Sequence, residues 1–224
     1  MECKSVDARI KMSRRSYSSS GLYSGKSAEE RKSARRRLLL ETGIELIGTK
    51  GFAFVSLNML CAEAGLIKRY FYESFNSVEE LLSEAVDQIF SEMQQVLAAQ
   101  IAQGSNPREM ILGGIRSFFE FLRSNPTRGR VFLIESLSVP STRKSYFDDS
   151  RVSELLISSS RQFVQETFPS EAIFRVIAQS TVGATRFVGQ KWIESGFEQP
   201  IDELVAGVSE VCFGIGDRFG VKLD

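Results

Sequence analysis

The stretch that decides the fold spans residues 39–75 and reads LLETGIELIGTKGFAFVSLNMLCAEAGLIKRYFYESF. Its first half places Leu40, Ile44 and Ile47 at intervals of four and three residues. This spacing puts all three on one face, so it predicts an amphipathic helix. Gly51 follows and is expected to end that helix in the αL conformation, which glycine adopts without a Cβ penalty.

A second helix and a tight turn follow in the same stretch. Ser56 offers a side-chain oxygen of the kind that caps a helix N-terminus. Apolar residues then recur at helical spacing, namely Leu57, Leu60, Cys61 and Ala64. Gly65 supplies the sharp turn, because a Cβ there would oppose a positive φ. The two units together predict a helix-turn-helix.

The segment after the turn combines two cations with several aromatic side chains. Phe71 and Phe75 lie four residues apart, so they share one helical face and are predicted to point inward. The side chains left on the outer face are Lys68, Arg69, Tyr70 and Tyr72. That is the arrangement that a reader of the DNA major groove requires.

At these residues the chain resembles the TetR family of one-component bacterial transcriptional regulators. The resemblance covers roughly the N-terminal third, and the spacing of Gly51, Gly65, Tyr72 and Phe75 holds without a gap. It implies an all-helical homodimer. In such a dimer the N-terminal domain binds double-stranded operator DNA, and the C-terminal domain dimerises and binds a small-molecule effector.

Two departures from the family pattern affect the predicted base contacts. Ile67 stands where Ser or Thr usually caps the recognition helix, a loss of about 1 kcal/mol. Arg69 replaces a frequent Gly and adds a cation with bidentate reach to guanine. With Lys68 and Tyr70 it lies on the first turn of the recognition helix, which is expected to meet base edges in the groove.

Other residues of the same region are predicted to contact phosphates. Ser56 and Tyr72 match family positions that usually hold phosphates, so the resemblance implies that they set register rather than sequence. Arg36 and Arg37, in the early turns of the first helix, are predicted to flank the DNA backbone. For Tyr70 and Tyr72 the alternative is half-buried packing against the first helix.

The formal net charge of the 224 residues is zero, but the charge is unevenly distributed. Residues 1–75 carry 14 Lys and Arg against 8 Asp and Glu, a balance of +6, and the rest of the chain balances at −6. A basic N-terminal part on an acidic body suits a protein that presents one end to a polyanion. The alternative is an ordinary solvated surface on which the charged residues are unevenly distributed.

Three parts of the chain are predicted. Residues 1–26 are basic and rich in Ser and are expected to be a disordered arm, which either follows phosphates or stays a solvated tail. Residues 27–76 are predicted to be the helix-turn-helix DNA-binding domain, and residues 77–224 a helical effector-binding and dimerisation domain. Capping boxes at Ser27–Glu30 and Ser77–Glu80 predict the first helix of each domain.

Further helices are predicted in the C-terminal part, including one over about 142–167, and the last two are the most regular. The first of these two, roughly 170–195, carries a stripe made of Ile173, Ile177, Ser180, Ala184 and Phe187. The final helix carries Leu204, Val208, Val211, Ile215 and Phe219. Such stripes can form half of a four-helix bundle, so we predict a homodimer through these two helices. The alternative is that both stripes pack within their own subunit.

Residue types that most enzymes need are missing. The chain has no His, the commonest general base and metal ligand. It also lacks a phosphate-binding glycine motif and a nucleophile elbow. Its three cysteines are far apart, and no apolar run is long enough to span a membrane. We therefore expect a cytoplasmic protein with no catalytic residue, metal, cofactor or disulfide framework.

The aromatic residues of the C-terminal part are candidates for an apolar effector cavity. Phe118, Phe132 and Phe163 are the predicted lining residues, and Arg186 is the predicted polar anchor. For each of them the alternative is a core-filling or solvated side chain. The overall prediction is a TetR-like repressor that a small-molecule effector releases from its operator. The alternatives are an effector-independent regulator controlled by a protein partner and, less favoured, a helical ligand carrier.

Overall fold

The structure is a computed structural model that describes residues 27–140, 142, 154, 157–158 and 170–218. These residues form helices and no strand, which confirms the predicted all-α class. In chain order the longer elements are α1 (Ala28–Lys50), α2 (Leu57–Glu63), α3 (Lys68–Tyr72), α4 (Val78–Ile101), α5 (Pro107–Ser124), α6 (Pro126–Leu133), α7 (Glu171–Glu194) and α8 (Ile201–Arg218). Short 3₁₀ turns lie at Phe52–Phe54 and Glu135–Ser138. The predicted arm and most of the predicted helix over 142–167 lie outside the described residues.

The two predicted capping boxes differ in the structure. At the start of α1, the Glu30 nitrogen donates to Ser27 Oγ (3.1 Å), and the Ser27 nitrogen donates to Glu30 Oε2 (2.6 Å). At the start of α4, the Glu80 nitrogen donates to Ser77 Oγ, but the Glu80 carboxylate accepts from the Asn76 backbone and side-chain amides. The second box is therefore only half formed, because Asn76 offers two donors one residue earlier.

The two glycines of the helix-turn-helix adopt different conformations. Gly65 has a φ of +64°, as the predicted turn requires. Gly51 ends α1 as predicted, but its φ of 89° and ψ of 144° are outside the αL region, so that part of the prediction was wrong. Its φ is nevertheless positive, a conformation that glycine adopts without a Cβ penalty, and the chain turns at once into the 3₁₀ turn at Phe52–Phe54.

One apolar cluster runs from α1 of the N-terminal part to α8 at the end of the described residues. We call residues 27–76 the head and the described residues from 77 onward the body. The deepest head residues are Leu39, Ile44, Ile47, Leu60, Phe71 and Phe75. Leu81, Leu82 and Ile89 of α4 continue the cluster into the body, where α4 packs against α5 and α8 also packs against α5.

Helix α6 of the body lies directly on α1 of the head. Gly48 permits this approach, because a Cβ there would lie 2.6 Å from the carbonyl oxygen of Thr127. Beside that contact, Arg128 donates to Glu41 of α1 (2.6 Å) and to Glu92 of α4 (3.0 Å). Desolvation lowers the pKa of the Arg128 guanidinium, but its bonds to both carboxylates outweigh this and raise the pKa above its ordinary value.

The predicted stripes on α7 and α8 are only partly exposed. On α7, Ile173 and Phe187 are exposed, Ile177 is half-buried, and Val176 is exposed instead of it. On α8, Val211 is 56% exposed, whereas Val208 is buried within its own subunit. The remaining stripe residues are Ser180 and Ala184, which are exposed, and Leu204 and Ile215, which are half-buried. Phe219 lies outside the described residues.

Candidate nucleic-acid interface

Helix α3 carries the predicted recognition segment and has little stability of its own. It has five residues, and Ile67 occupies its N-cap without a side-chain hydrogen bond, as predicted. So short a helix depends on tertiary packing. Phe71 and Phe75 supply that packing, because both are buried as predicted and their ring centroids lie 5.6 Å apart.

The cations of α3 face outward, as the sequence predicts. Lys68 is exposed, and the side chain of Arg69 is 81% exposed. Arg69 Nε lies 3.2 Å from Glu73 Oε1 and donates a hydrogen bond to it. The guanidinium therefore has one partner within the helix while most of its surface remains open to solvent.

The two tyrosines of the segment have different environments. Tyr72 is 59% exposed, and its ring packs edge-on against Phe71 at a centroid distance of 5.6 Å. Tyr70 is half-buried, and Cζ of Arg35 lies 4.3 Å from its ring centroid. The alternative interpretation of these two tyrosines, half-buried packing against the first helix, therefore holds for Tyr70 and not for Tyr72.

Ser56 performs the capping role that the sequence predicts. Its Oγ accepts a hydrogen bond from the backbone nitrogen of Met59 at 3.3 Å, and the residue is exposed. A hydroxyl that accepts through a lone pair still has a proton to donate. The same side chain can therefore cap α2 and donate to a phosphate oxygen.

The two arginines predicted to flank the DNA backbone also differ. Arg37 is exposed on α1. Arg36 forms an ion pair with Glu84 of α4, and its Cζ lies 4.8 Å from the ring centroid of Phe75. Arg36 thus ties α1 to α4, and its phosphate contact remains a prediction.

Sequence reasoning predicted Arg35, with its neighbours on the first helix, to flank the DNA backbone, but it missed Glu73 and the bond between the two residues. Arg35 Nη2 donates to Glu73 Oε2 at 3.2 Å, so Glu73 accepts from α1 and from Arg69 of α3. The four-residue spacing of Arg69 and Glu73 was a readable signal for one of these bonds. The bond from Arg35 to Glu73 joins residues 38 positions apart, and no local sequence pattern predicts it.

The candidate effector residues lie in the body, around α7. Phe118 and Phe132 are buried, as is Arg186, whose Cζ lies 5.2 Å from the Phe132 ring centroid. Phe118 packs beside Gly189 of α7, where a Cβ would come within 2.8 Å of its ring. The structure therefore brings Arg186 and Phe132 together. Phe163, the fourth candidate, lies outside the described residues.

Three further observations concern properties other than DNA contact. Burial raises the pKa of the Cys61 thiol, and the nearby Lys68 charge acts in the opposite direction, so Cys61 is a protonated core residue near neutral pH. Over the described ranges there is no cluster of three or more His, Cys, Asp or Glu side chains placed to hold a metal ion. Among the helices of that same part of the chain, none combines the length and apolarity needed to cross a bilayer.

Comparisons with known proteins agree with this architecture. Residues 39–85 match the family model for bacterial regulatory proteins of the tetR family. A TetR-like transcriptional regulator from Rhodococcus sp. RHA1 is 19% identical with a TM-score of 0.63, over 81% of this chain and 94% of that one. The fatty acid degradation regulator FadR from Bacillus halodurans is 17% identical with a TM-score of 0.63, and the match covers 79% of this chain and 93% of that one. FadR from Bacillus subtilis, in complex with stearoyl-CoA, is 14% identical with a TM-score of 0.66, and the match covers 78% of this chain and 96% of that one.

The fold and the head are those of a DNA-binding transcriptional regulator of the helix-turn-helix class. The solved structures are too distant in sequence to show more than the shared fold. The match over residues 39–85, which covers α2, α3 and the adjoining parts of α1 and α4, is more specific. Over those residues the chain matches the tetR family, and its fold is similar to that of solved TetR-like regulators.

Proposed function

We propose that the chain is a homodimeric repressor whose two α3 helices enter successive major-groove half-sites of a pseudo-palindromic operator. The observation that carries the proposal is the exposed face of α3, where Lys68, Arg69 and Tyr72 project from a firmly anchored helix. In this proposal residues 27–76 are the DNA-binding domain, residues 77–224 bind effector and dimerise, and the protein acts in the cytoplasm. Base edges are assigned to Lys68, Arg69 and Tyr70, and phosphates to Ser56, Tyr72, Arg36 and Arg37.

The exposed apolar face of α7 and α8 supports the dimer. Val176 and Phe187 are each 59% exposed, and Val211 of α8 is 56% exposed. Gly183 and Gly214 have no atom within 4 Å of a Cβ position, so another helix can approach closely there. Two copies that pair through this face would form a four-helix bundle and would set the spacing of the two heads.

We further propose that a small apolar or amphipathic effector binds among Phe118, Phe132 and Arg186. A buried guanidinium beside an aromatic ring suits a ligand that has both an apolar part and an anionic group. The Bacillus subtilis FadR structure contains stearoyl-CoA, which has both features and is therefore the first probe. Release from DNA requires the effector to prefer a body conformation whose head spacing does not fit the operator.

The test begins with selection of bound genomic fragments by the full chain. Kd is then measured by fluorescence anisotropy on the selected duplex and on a random duplex of equal length. We expect a preference of at least about 10³-fold for the selected duplex at physiological salt. Addition of stearoyl-CoA should raise the operator Kd if the effector class is right. Equal binding to both duplexes would contradict the proposed function, and an operator Kd unmoved by any acyl-CoA would contradict only the effector class.

A further inference from the structure

The carboxylate of Glu73 lies between two arginines that come from different helices. Glu73 follows the last residue of α3, and its side chain is 30% exposed. Its Oε1 accepts from Arg69 Nε, and its Oε2 accepts from Arg35 Nη2, each at 3.2 Å. Arg35 is itself held by its stacking on the Tyr70 ring at 4.3 Å. One acidic group therefore connects α1 to the exposed cation of the recognition helix.

This arrangement leaves the end of the Arg69 guanidinium available to DNA. The bond to Glu73 uses Nε, so Nη1 and Nη2 are not engaged by that bond and can donate to another acceptor. Those two groups are the pair that donates to O6 and N7 of a guanine in the major groove. A guanidinium tethered through Nε also loses less side-chain freedom when it binds, and so it is better placed to read one base.

The same carboxylate changes the charge of the surface that meets DNA. Arg35, Arg69 and Glu73 together carry one net positive charge, whereas the two arginines alone would carry two. Contacts to phosphate provide affinity without sequence preference and grow with the number of free cations. Glu73 therefore weakens attraction to any DNA while it leaves the base-reading groups of Arg69 in place.

We infer that Glu73 is a specificity-determining residue, which positions Arg69 to read a guanine and withholds Arg35 from phosphates. This inference rests on the proposed DNA-binding function. Removing the Glu73 charge lets both arginines follow the phosphate backbone, so binding to random DNA strengthens while recognition of the guanine weakens. The ratio of the random-duplex Kd to the operator Kd should fall by about tenfold, the range of one lost bidentate contact.

The experiment compares the unchanged chain with Glu73→Gln, which keeps the side-chain shape. Glu63→Gln is the matched control, because Glu63 is an exposed carboxylate at the end of α2 in the same head. Each protein is titrated against the selected operator and against operators in which one guanine is replaced by 7-deazaguanine, which lacks the N7 acceptor. Each comparison is made between two duplexes bound by one protein sample, so any difference in the folded fraction cancels.

The unchanged chain and Glu63→Gln should each lose affinity at one 7-deazaguanine position, and Glu73→Gln should lose little there. The salt dependence of Glu73→Gln on random DNA should be steeper by about one to two phosphate contacts. If Glu73→Gln loses as much affinity at the 7-deazaguanine position as the unchanged chain does, this inference alone is overturned. If the unchanged chain prefers no duplex, the proposed function and this inference both fail.

Discussion

The carboxylate of Glu135 in the body holds the backbone of Phe52 in the head. Glu135 Oε2 accepts from the Phe52 nitrogen at 2.8 Å, and Oε1 accepts from Arg130 Nε at 3.1 Å. Glu135 is buried, so its carboxylate is largely shielded from water, whereas the side chain of Arg130 is partly exposed. Phe52 begins the 3₁₀ turn that leads into α2 of the helix-turn-helix. This buried carboxylate therefore fixes the entry to the DNA-binding motif from the body side.

The first prediction concerns this contact and uses Glu135→Gln. The amide keeps one acceptor but loses the charge, so one of the two donors is left poorly satisfied in a buried site. We expect the free energy of unfolding to fall by about 1–3 kcal/mol, measured by urea denaturation. Glu120→Gln, at an exposed position on α5, should stay within about 0.5 kcal/mol of the unchanged chain. Equal losses in the two variants would show that the Glu135 bonds do not stabilise the fold.

The second prediction concerns the bridge from Arg128 to Glu41 and Glu92. Arg128→Met leaves two neighbouring carboxylates without their shared cation, so unfolding should cost about 1–3 kcal/mol less at pH 7. Arg123→Met, at an exposed position near the end of α5, is the control.

The pH dependence of the Arg128→Met effect has a definite sign. The pKa of Arg128 is raised, so the contribution of its charged guanidinium is fully present at neutral and mildly alkaline pH and is lost only as the pH rises through that raised pKa. The difference in the free energy of unfolding between the unchanged chain and Arg128→Met should therefore be the same at about pH 7 and about pH 9. A difference that shrinks between these two pH values would exclude the charge of Arg128 as its cause.

The third prediction concerns base recognition by Arg69. Arg69→Ala should weaken binding to the selected operator by about 1–3 kcal/mol and relax the preference at one base position, as measured by anisotropy on a set of singly substituted duplexes. Arg123→Ala, at an exposed site in the body, should bind normally. If Arg69→Ala loses the same amount on operator and on random DNA, the side chain contacts only phosphate.

The fourth prediction concerns the proposed dimer. Phe187→Glu places a carboxylate at an exposed apolar position of α7, and the two-fold axis would bury it twice in the bundle. We expect the dimer Kd, measured by sedimentation equilibrium, to rise on the order of a hundredfold. Gln95→Glu adds the same charge at an exposed site on α4 and should leave the Kd unchanged. A Phe187→Glu protein that remains as dimeric as the Gln95→Glu control would place the interface elsewhere.

The fifth prediction compares two glycine substitutions. Gly48→Ala would bring a Cβ within 2.6 Å of the Thr127 carbonyl oxygen, so α6 must move off α1. Gly65→Ala meets no neighbouring atom and costs only the strain of a positive φ, about 1 kcal/mol. We expect Gly48→Ala to lower the thermal midpoint more than Gly65→Ala does. The reverse order would mean that α6 can shift away from α1 with little loss of stability.

The helices and the inward face of α3 were predictable because their causes are local. The cap at Ser27, the turn at Gly65 and the four-residue spacing of Phe71 and Phe75 each act within a few residues of chain. The prediction from local spacing was wrong where a competing donor lies nearby. The Glu80 carboxylate accepts from the amides of Asn76 and not from the Ser77 backbone nitrogen that the spacing predicts.

The contacts of Glu73 and Glu135 follow from no such pattern. Arg35 and Glu73 are 38 residues apart, and Phe52 and Glu135 are 83 residues apart. Carboxylates are common on helical faces, and their partners are set by how helices cross. The primary structure of this chain thus specified the described helices, the helix-turn-helix and the resemblance to the TetR family. Which charged groups meet, and therefore how the head is tied to the body, depended on the packing of α1, α3 and α6, because such partners approach only after the apolar faces are buried.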